Sequence, residues 1–326
     1  MPEGVAPSAF GIHRANSAAD GGSDPSHRSS VSLLACFIRA CTAQAVPDFV
    51  HPHLQSRVIG HPMESSQARF AVERSAPSVL RITLTAEKTL NAVDTAVMNG
   101  IAEALERAGR DPEVRVIVIT GRGRAFCAGA DLGGADPGTE GPNTEILDAA
   151  NRLTAALVSV PKPVICGLNG LAAGVGVSIA LACDLVVASE SAYFLLSFTN
   201  VGLMPDGGAT ALLSASLGRS RALRIGLLAE RVNMTEAMRE GLVTSVSAAD
   251  SYSSDLEALV ERMAVGPTLA FAETKQAINA ASLPDLYTAY RRERDGQIRL
   301  LHGSDFAEGS AAFLAKRMPR FTGRED

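Results

Sequence analysis

Tryptophan is absent from this chain of 326 residues, and lysine occurs only at Lys88, Lys162, Lys275 and Lys316. The remainder of its 30 basic residues are arginine, an imbalance that reads as high-GC coding rather than as chemistry. Histidine is missing where many mechanisms would need it. His13, His27, His51, His53 and His61 all precede Met63, and only His302 follows. A Ser-His-Asp or Cys-His mechanism requires an imidazole that takes and returns a proton near neutral pH. His302 would have to supply it from an arginine-rich helical segment, where a histidine is ordinarily solvated. The five cysteines, Cys36, Cys41, Cys127, Cys166 and Cys183, are odd in number, irregular in spacing and free of any CxxC pair. That excludes a disulfide scaffold and a structural zinc site, and it fits a reducing cytoplasm. No apolar run approaches the roughly 20 residues of a membrane span, so no membrane partner is expected. A net charge of -5 does not advertise a nucleic-acid surface.

What is present divides near Met63. Residues 1–62 contain no lysine and are rich in Ala, Ser, Pro and His. Their one apolar stretch, VSLLACFIRAC, lies far from the start, and acids interrupt any amphipathic face, so a transit peptide is disfavoured. The segment reads as a disordered tail or an upstream extension. From Met63 onward the pattern becomes regular. SVLRITLT alternates as a half-buried strand does, and VRVIVITG and PVICGLNG are buried, β-branched runs. VDTAVMNGIAEALERAGRD and TEILDAANRLTAALVSV carry helical spacing, the first opened by Asp94 and the second closed by Pro161. AAGVGVSIALAC reads as a glycine-led helix, DLVVAS and LVTSVSA as short strands, and everything beyond residue 250 as helical. Strands alternating with helices predict an α/β fold, with a core over 63–265 and a helical region over 266–326.

Two strand-to-helix junctions could hold chemistry. Thr120 to Leu132 and Gly167 to Ser178 each follow a buried strand and load the turn with glycine and alanine. Small residues let a ligand reach backbone N–H groups, and the first N–H groups of a helix lack intrahelical partners. Two such donors from different turns can bind one developing oxyanion. Neither junction has the GxGxxG or GK[ST] spacing of a nucleotide-binding loop.

AFCAGADL, then PVICGLNGLAAGVGVSIALACDLVVAS, then VGLMPDGGAT, in that order and spacing, resemble the enoyl-CoA hydratase/isomerase family of the crotonase superfamily. The resemblance runs from about Phe70 to Phe321 and includes LNAV after Lys88 and the tail AFLAKRMPRF. It implies a crotonase-like ββα superhelix core with a C-terminal helical trimerisation region, assembled as a homotrimer or dimer of trimers. It implies acyl-CoA thioester substrates and no cofactor, coenzyme A being part of the substrate. The oxyanion hole would come from the Ala130 and Val175 N–H groups. Ala92, Ala128, Asp131, Leu132, Gly174, Ser178, Phe198 and Lys316 would line the substrate site, with Lys316 and Arg317 suited to a CoA phosphate.

The departures from the family pattern carry the functional expectation. Hydratases of the family activate water with two glutamates, and the matching positions here are Ser178 and Phe198. A Ser–Phe pair cannot accept and donate the protons of water. Val175 stands where glycine is usual, which keeps the backbone donor and narrows the pocket. Asp206, in Met204-Pro205-Asp206-Gly207-Gly208, matches the aspartate that shuttles protons in some isomerases of the superfamily. As an acid just before a helix it also fits a helix cap. Asp131 is expected to stabilise its turn. Cys127 has no histidine or lysine neighbour in the sequence to activate it, so it is expected to be a small buried hydrophobe. The reading is an enoyl-CoA isomerase that shifts a double bond through a stabilised enolate. A nonstandard hydratase and a non-catalytic acyl-CoA-binding protein are the alternatives.

Overall fold

The computed structural model describes residues 69–131 and 144–324. The expected tail over 1–62 and Leu132 lie outside the described residues. Among the described residues ten strands form two sheets. The larger sheet has the order β1-β2-β3-β5-β7-β10, made of Phe70–Ala76, Val79–Leu84, Val116–Gly121, Val164–Leu168, Leu185–Ser189 and Ser245–Ser247. The smaller has the order β4-β6-β8-β9, made of Ala125–Cys127, Leu171–Ala173, Tyr193–Leu195 and Arg231–Asn233. All pairings are parallel except β1 with β2 and β8 with β9.

From β3 to β8 consecutive strands therefore alternate between the sheets. β3 and β4 are followed by helix α2 (Glu145–Ser159), β5 and β6 by α3 (Val175–Leu181), and β7 and β8 by α4 (Ala209–Leu228). The first turn of the same winding is β2 followed by α1 (Thr95–Arg110). A single bridge pairing Val93 with Ala130 stands in for its second strand. This is the ββα superhelix expected from the sequence. Short β4, β6, β8 and β9, of three residues each, carry too little periodicity to be read in advance.

The long buried strands are apolar throughout because both faces of the large sheet are covered. Ile117 and Ile119 of β3, with Val164, Cys166 and Leu168 of β5, face the main core under α1, α2 and α3. Val116, Val118 and Ile165 face a second cluster built with Leu256, Val260 and Ala264 of α6 (Tyr252–Val265). Each fully buried side chain of this size contributes about 1.5–3 kcal/mol. Helix α1 places Met98, Ile101 and Leu105 on its buried face. Asp94 caps it, accepting the Val97 N–H at 2.8 Å, so its predicted role at the helix start holds.

Helix α5 (Met234–Arg239) precedes β10, and beyond residue 250 the described residues are mainly helical, as read, up to Leu314: α6, α7 (Thr268–Ser282), α8 (Leu286–Leu301) and α9 (Ser304–Leu314). Among the described residues no helix is long and apolar enough to cross a membrane. Helix α7 is fastened to the core by a lysine. The Lys275 ammonium is 2.9 Å from Asp184 and donates at 2.7 Å to the Leu157 carbonyl, at the negative C-terminal end of α2. Asp184 in turn accepts the Val164 N–H at 2.7 Å at the start of β5. Burial pushes the Asp184 carboxyl up, and Lys275 opposes that shift. Lys275→Met removes the cation from a partly solvent-exposed carboxylate that keeps its bond from the Val164 N–H. The expected cost is about 1 kcal/mol, that of a partly screened ion pair, read as a lower urea midpoint at pH 7.

Candidate active site

The site is built where two turns of the superhelix touch. Gly129, after β4, and Gly174, after β6, both adopt positive φ, at 101° and 52°. A Cβ on Gly174 would lie 3.7 Å from the Gly129 Cα, and one on Gly129 would lie 3.0 Å from the Ala173 carbonyl oxygen. Only glycine combines that backbone conformation with so close an approach. The residue after each glycine carries a predicted donor. The bridge at Val93 uses the Gly129 carbonyl and the Asp131 N–H, each at 2.9 Å, and passes over Ala130. Val175 is the first residue of α3. Neither the Ala130 nor the Val175 N–H has an acceptor among the described residues.

The loop carrying Ala130 is held from outside. The Ala128 N–H donates to Leu90 at 2.9 Å, and the Asn91 side chain donates to the Arg122 and Ala125 carbonyls at 3.0 and 2.8 Å. Arg69 spans Asp94, Asp131 and the Ala92 carbonyl at 2.7, 2.8 and 2.7 Å. Asp131 thus stabilises the turn, as expected, and Ala92 and Ala128 frame the same loop through their main chains.

Ser178 and Asp206 come together next to Val175, and Phe198 lies beside Gly174. The Ser178 hydroxyl donates at 2.7 Å to the Asp206 carbonyl, and both residues are buried. A Cβ on Gly207 would lie 3.2 Å from the Ser178 Cβ and 3.3 Å from Val175 Cγ2, so the Val175 side chain packs on the Gly207 turn. The Phe198 ring lies beside Gly174, 3.9 Å from where its Cβ would be. Ser178 spends its hydroxyl inside the protein, and Phe198 has no polar atom to give. No carboxylate stands at either position.

Asp206 is not a helix cap. Helix α4 starts after Gly208, which makes no side-chain cap bond. Its free N–H groups are taken by Glu293 of α8, which accepts from Gly208 at 2.6 Å and from the Thr210 N–H at 2.9 Å and hydroxyl at 2.5 Å. The Asp206 side chain instead accepts from Gln297 at 2.9 Å, through Oδ2. Burial pushes the Asp206 carboxyl up to about 7; the Gln297 bond opposes this and the nearby Glu293 charge adds to it. An acid with that environment is poised to exchange a proton near neutrality.

Glu293 and Gln297 were not anticipated. Their signal was present: they continue the buried stripe of Leu286, Ala289, Tyr290 and Gly296 along α8 and are the polar members of it. Other predicted groups are not brought to this place. Lys316 is exposed just beyond α9, and no described contact ties it to Ala130, Val175 or Asp206. Arg317 is engaged with Glu308 at 2.5 and 2.8 Å. His302 is exposed, its ring 2.7 Å from the Ile298 carbonyl. Cys127 is fully buried, and burial pushes its thiol up to about 12, so it is an inert core residue as expected.

Residues 74–324 match the family model described as enoyl-CoA hydratase/isomerase. The chain is 36% identical over 259 residues to the 1,2-epoxyphenylacetyl-CoA isomerase of Escherichia coli (strain K12), covering 78% of this chain and 99% of that one. It is 36% identical over 246 residues to the 2,3-dehydroadipyl-CoA hydratase of the same organism, covering 76% and 96%. The crystal structure of an enoyl-CoA hydratase from Mycobacterium avium subsp. paratuberculosis K-10 superposes with a TM-score of 0.73 at 46% identity, covering 78% and 99%.

The raised Asp206 carboxyl has a thermodynamic signature. Between the ordinary aspartate value near 4 and about 7, the folded protein holds a proton there that the unfolded chain has lost. The folded state is therefore progressively disfavoured by this group as pH rises through that window. Asp206→Asn keeps an oxygen for Gln297 and has no charge to desolvate. Thermal melts should show the variant gaining stability over the wild type at pH 8 and matching it more closely at pH 4.5. Equal differences at both pH values would mean that Asp206 ionises without cost.

Proposed function

Because the chain belongs to the enoyl-CoA hydratase/isomerase family, we propose that it is an acyl-CoA isomerase in which Asp206 carries the migrating proton. The observation that carries this reading is the buried Asp206 carboxyl itself. It is relieved of capping by Glu293, and the main chain that carries it is held against the helix of Val175 by the Ser178 bond and the Gly207 contact. The thioester carbonyl of a 3-enoyl-CoA accepts from the Ala130 and Val175 N–H groups. The Asp206 carboxylate takes a proton from C2. The electron pair of the broken C–H bond spreads through the C3–C4 double bond and onto the thioester oxygen, whose charge the two N–H groups stabilise. The protonated Asp206 then delivers its proton to C4, leaving the double bond between C2 and C3 and the carboxylate restored. No water is consumed, and every proton taken is returned.

A hydratase reading draws on the relative that bears that name. It would need a general base for water, and Ser178 and Phe198 cannot supply one. A non-catalytic acyl-CoA binder would need only the two N–H groups. In either case the substrate class is an acyl-CoA thioester. Our reading keeps the expected homotrimer or dimer of trimers, a cytoplasmic location and the absence of a cofactor.

The deciding experiment is incubation of the full chain with 3-hexenoyl-CoA and 2-hexenoyl-CoA in deuterium oxide, with products read by NMR and mass spectrometry. Double-bond migration is expected, with deuterium entering C4 when the protonated Asp206 exchanges with solvent before delivery and entering C2 through the reverse reaction. The rate should rise with pH through about 7, since the carboxylate is the reactive form. Asp206→Asn should abolish both migration and exchange. Addition of water, or binding without exchange, would select one of the other readings.

The oxyanion hole has its own test. Val175 is the first residue of α3, where proline is tolerated because no helical bond uses that N–H. Val175→Pro should fold and lose about 10²–10³-fold in kcat, as removal of one oxyanion donor does. Val175→Gly should retain activity and accept bulkier acyl groups. A folded Val175→Pro enzyme at full rate would remove Val175 from the hole.

A further inference from the structure

Helix α8 supplies two buried polar side chains, four residues apart, that converge on the segment carrying Asp206. The Gln297 amide is oriented by its own acceptor bond. Its Oε1 accepts the Met204 N–H at 3.1 Å, so the Nε2 end must face Asp206 Oδ2. A donor on Oδ2 leaves Oδ1 as the carboxyl oxygen with no hydrogen bond among the described residues, and Asp206 keeps 9 % exposure. Glu293 accepts bonds from Gly208 and Thr210 and donates none, at the positive end of α4. That is the environment of a carboxylate. Burial pushes the Glu293 carboxyl up, the Thr210 and Gly208 bonds oppose that shift, and its charge when ionised raises the carboxyl of Asp206.

Resting on the isomerase reading above, we propose that Gln297 is a positioning residue for the proton shuttle: it occupies Asp206 Oδ2 so that the migrating proton travels on Oδ1. Glu293 is its counterpart and keeps the carboxyl protonatable by opposing a second negative charge nearby. One helix turn of α8 thus selects the oxygen that reacts and sets how readily it holds a proton.

The other groups around Asp206 do not compete for this role. Helix α3 contributes Val175 and Ser178, neither of them charged, and the latter bonds the Asp206 main chain. Phe198 is the buried residue of the short helical segment Ser197–Val201. Tyr290 of α8 is paired with Thr154 at 3.0 Å. Burial pushes its hydroxyl well above neutrality, so it stays uncharged through the range in which Asp206 titrates.

The test is the pH profile of kcat for deuterium exchange into 3-hexenoyl-CoA by the full chain. Gln297→Met is nearly isosteric and has no donor. Losing a hydrogen bond to the charged form favours the protonated one. Its acid limb should move up by about one pH unit, a roughly tenfold loss at pH 6 that recovers at pH 9, with KM little changed. Glu293→Gln should move the limb in the opposite direction. Should Gln297→Met fail to fold, Gln297→Asn replaces it, because its amide is one methylene too short to bridge Met204 and Asp206. The same upward shift is expected. Acid limbs that coincide with the wild type, or a loss of rate equal at pH 6 and pH 9, would reduce Gln297 to packing and overturn the proposal. Asp206→Asn run alongside separates the two levels. Retained exchange there defeats the shuttle reading itself, whereas a dead Asp206→Asn enzyme with an unshifted Gln297 variant defeats only the positioning role.

Discussion

Two main chains meet at Gly129 and Gly174 without a side chain between them, and the site depends on that contact. The ββα winding places β4 beside β6 in the small sheet, so the ends of successive strands arrive at the same level. A Cβ on Gly129 would press on the Ala173 carbonyl at 3.0 Å, and at Gly174 the positive φ is what favours glycine. The absence of both side chains lets the next residues, Ala130 and Val175, present N–H groups that have no acceptor among the described residues. The large sheet, packed on both faces, supplies the rigidity that makes such an approach reproducible.

Around this contact the polar groups are divided by task. Arg69, Asp94 and Asp131 fasten the first loop, and Ser178 fastens the second segment through the Asp206 carbonyl. Glu293 satisfies the start of α4, which in many helices falls to a residue of the preceding turn. The consequence is chemical. Asp206 is freed from a structural duty that its position in the chain suggested, and it remains buried with one defined hydrogen bond. Burial of a carboxyl beside another carboxylate favours its protonated form, which is the property a proton carrier near neutral pH requires.

The C-terminal helices are part of this arrangement rather than an appendage to it. Helix α7 reaches the core through Lys275 and Asp184, and α8 reaches the site through Glu293 and Gln297. A buried carboxylate and a buried amide are costly unless every bond is made. Here the costs are met by partners on α4 and on the loop before it. The same bonds that hold the last helices against the core also define the electrostatics of the reacting acid.

Much of the fold was legible in the residues. The β-branched runs at 116–121 and 164–168, the helical periods of α1 and α2, and the cap at Asp94 follow from local pattern, because burial on one or two faces imprints a period on the chain. The glycine-rich junctions and the ordered motifs around Ala130, Val175 and Asp206 were legible too, since close backbone approach demands small residues at set positions. The three-residue strands of the small sheet were not, being too short for a period to develop. Nor was the duty of Asp206. Cap and proton carrier are the same residue in the same local sequence, and the difference lies in Glu293, 87 positions along the chain. Only the packing of α8 against the start of α4 decides it, because a hydrogen bond between distant segments leaves no trace in the spacing of either one.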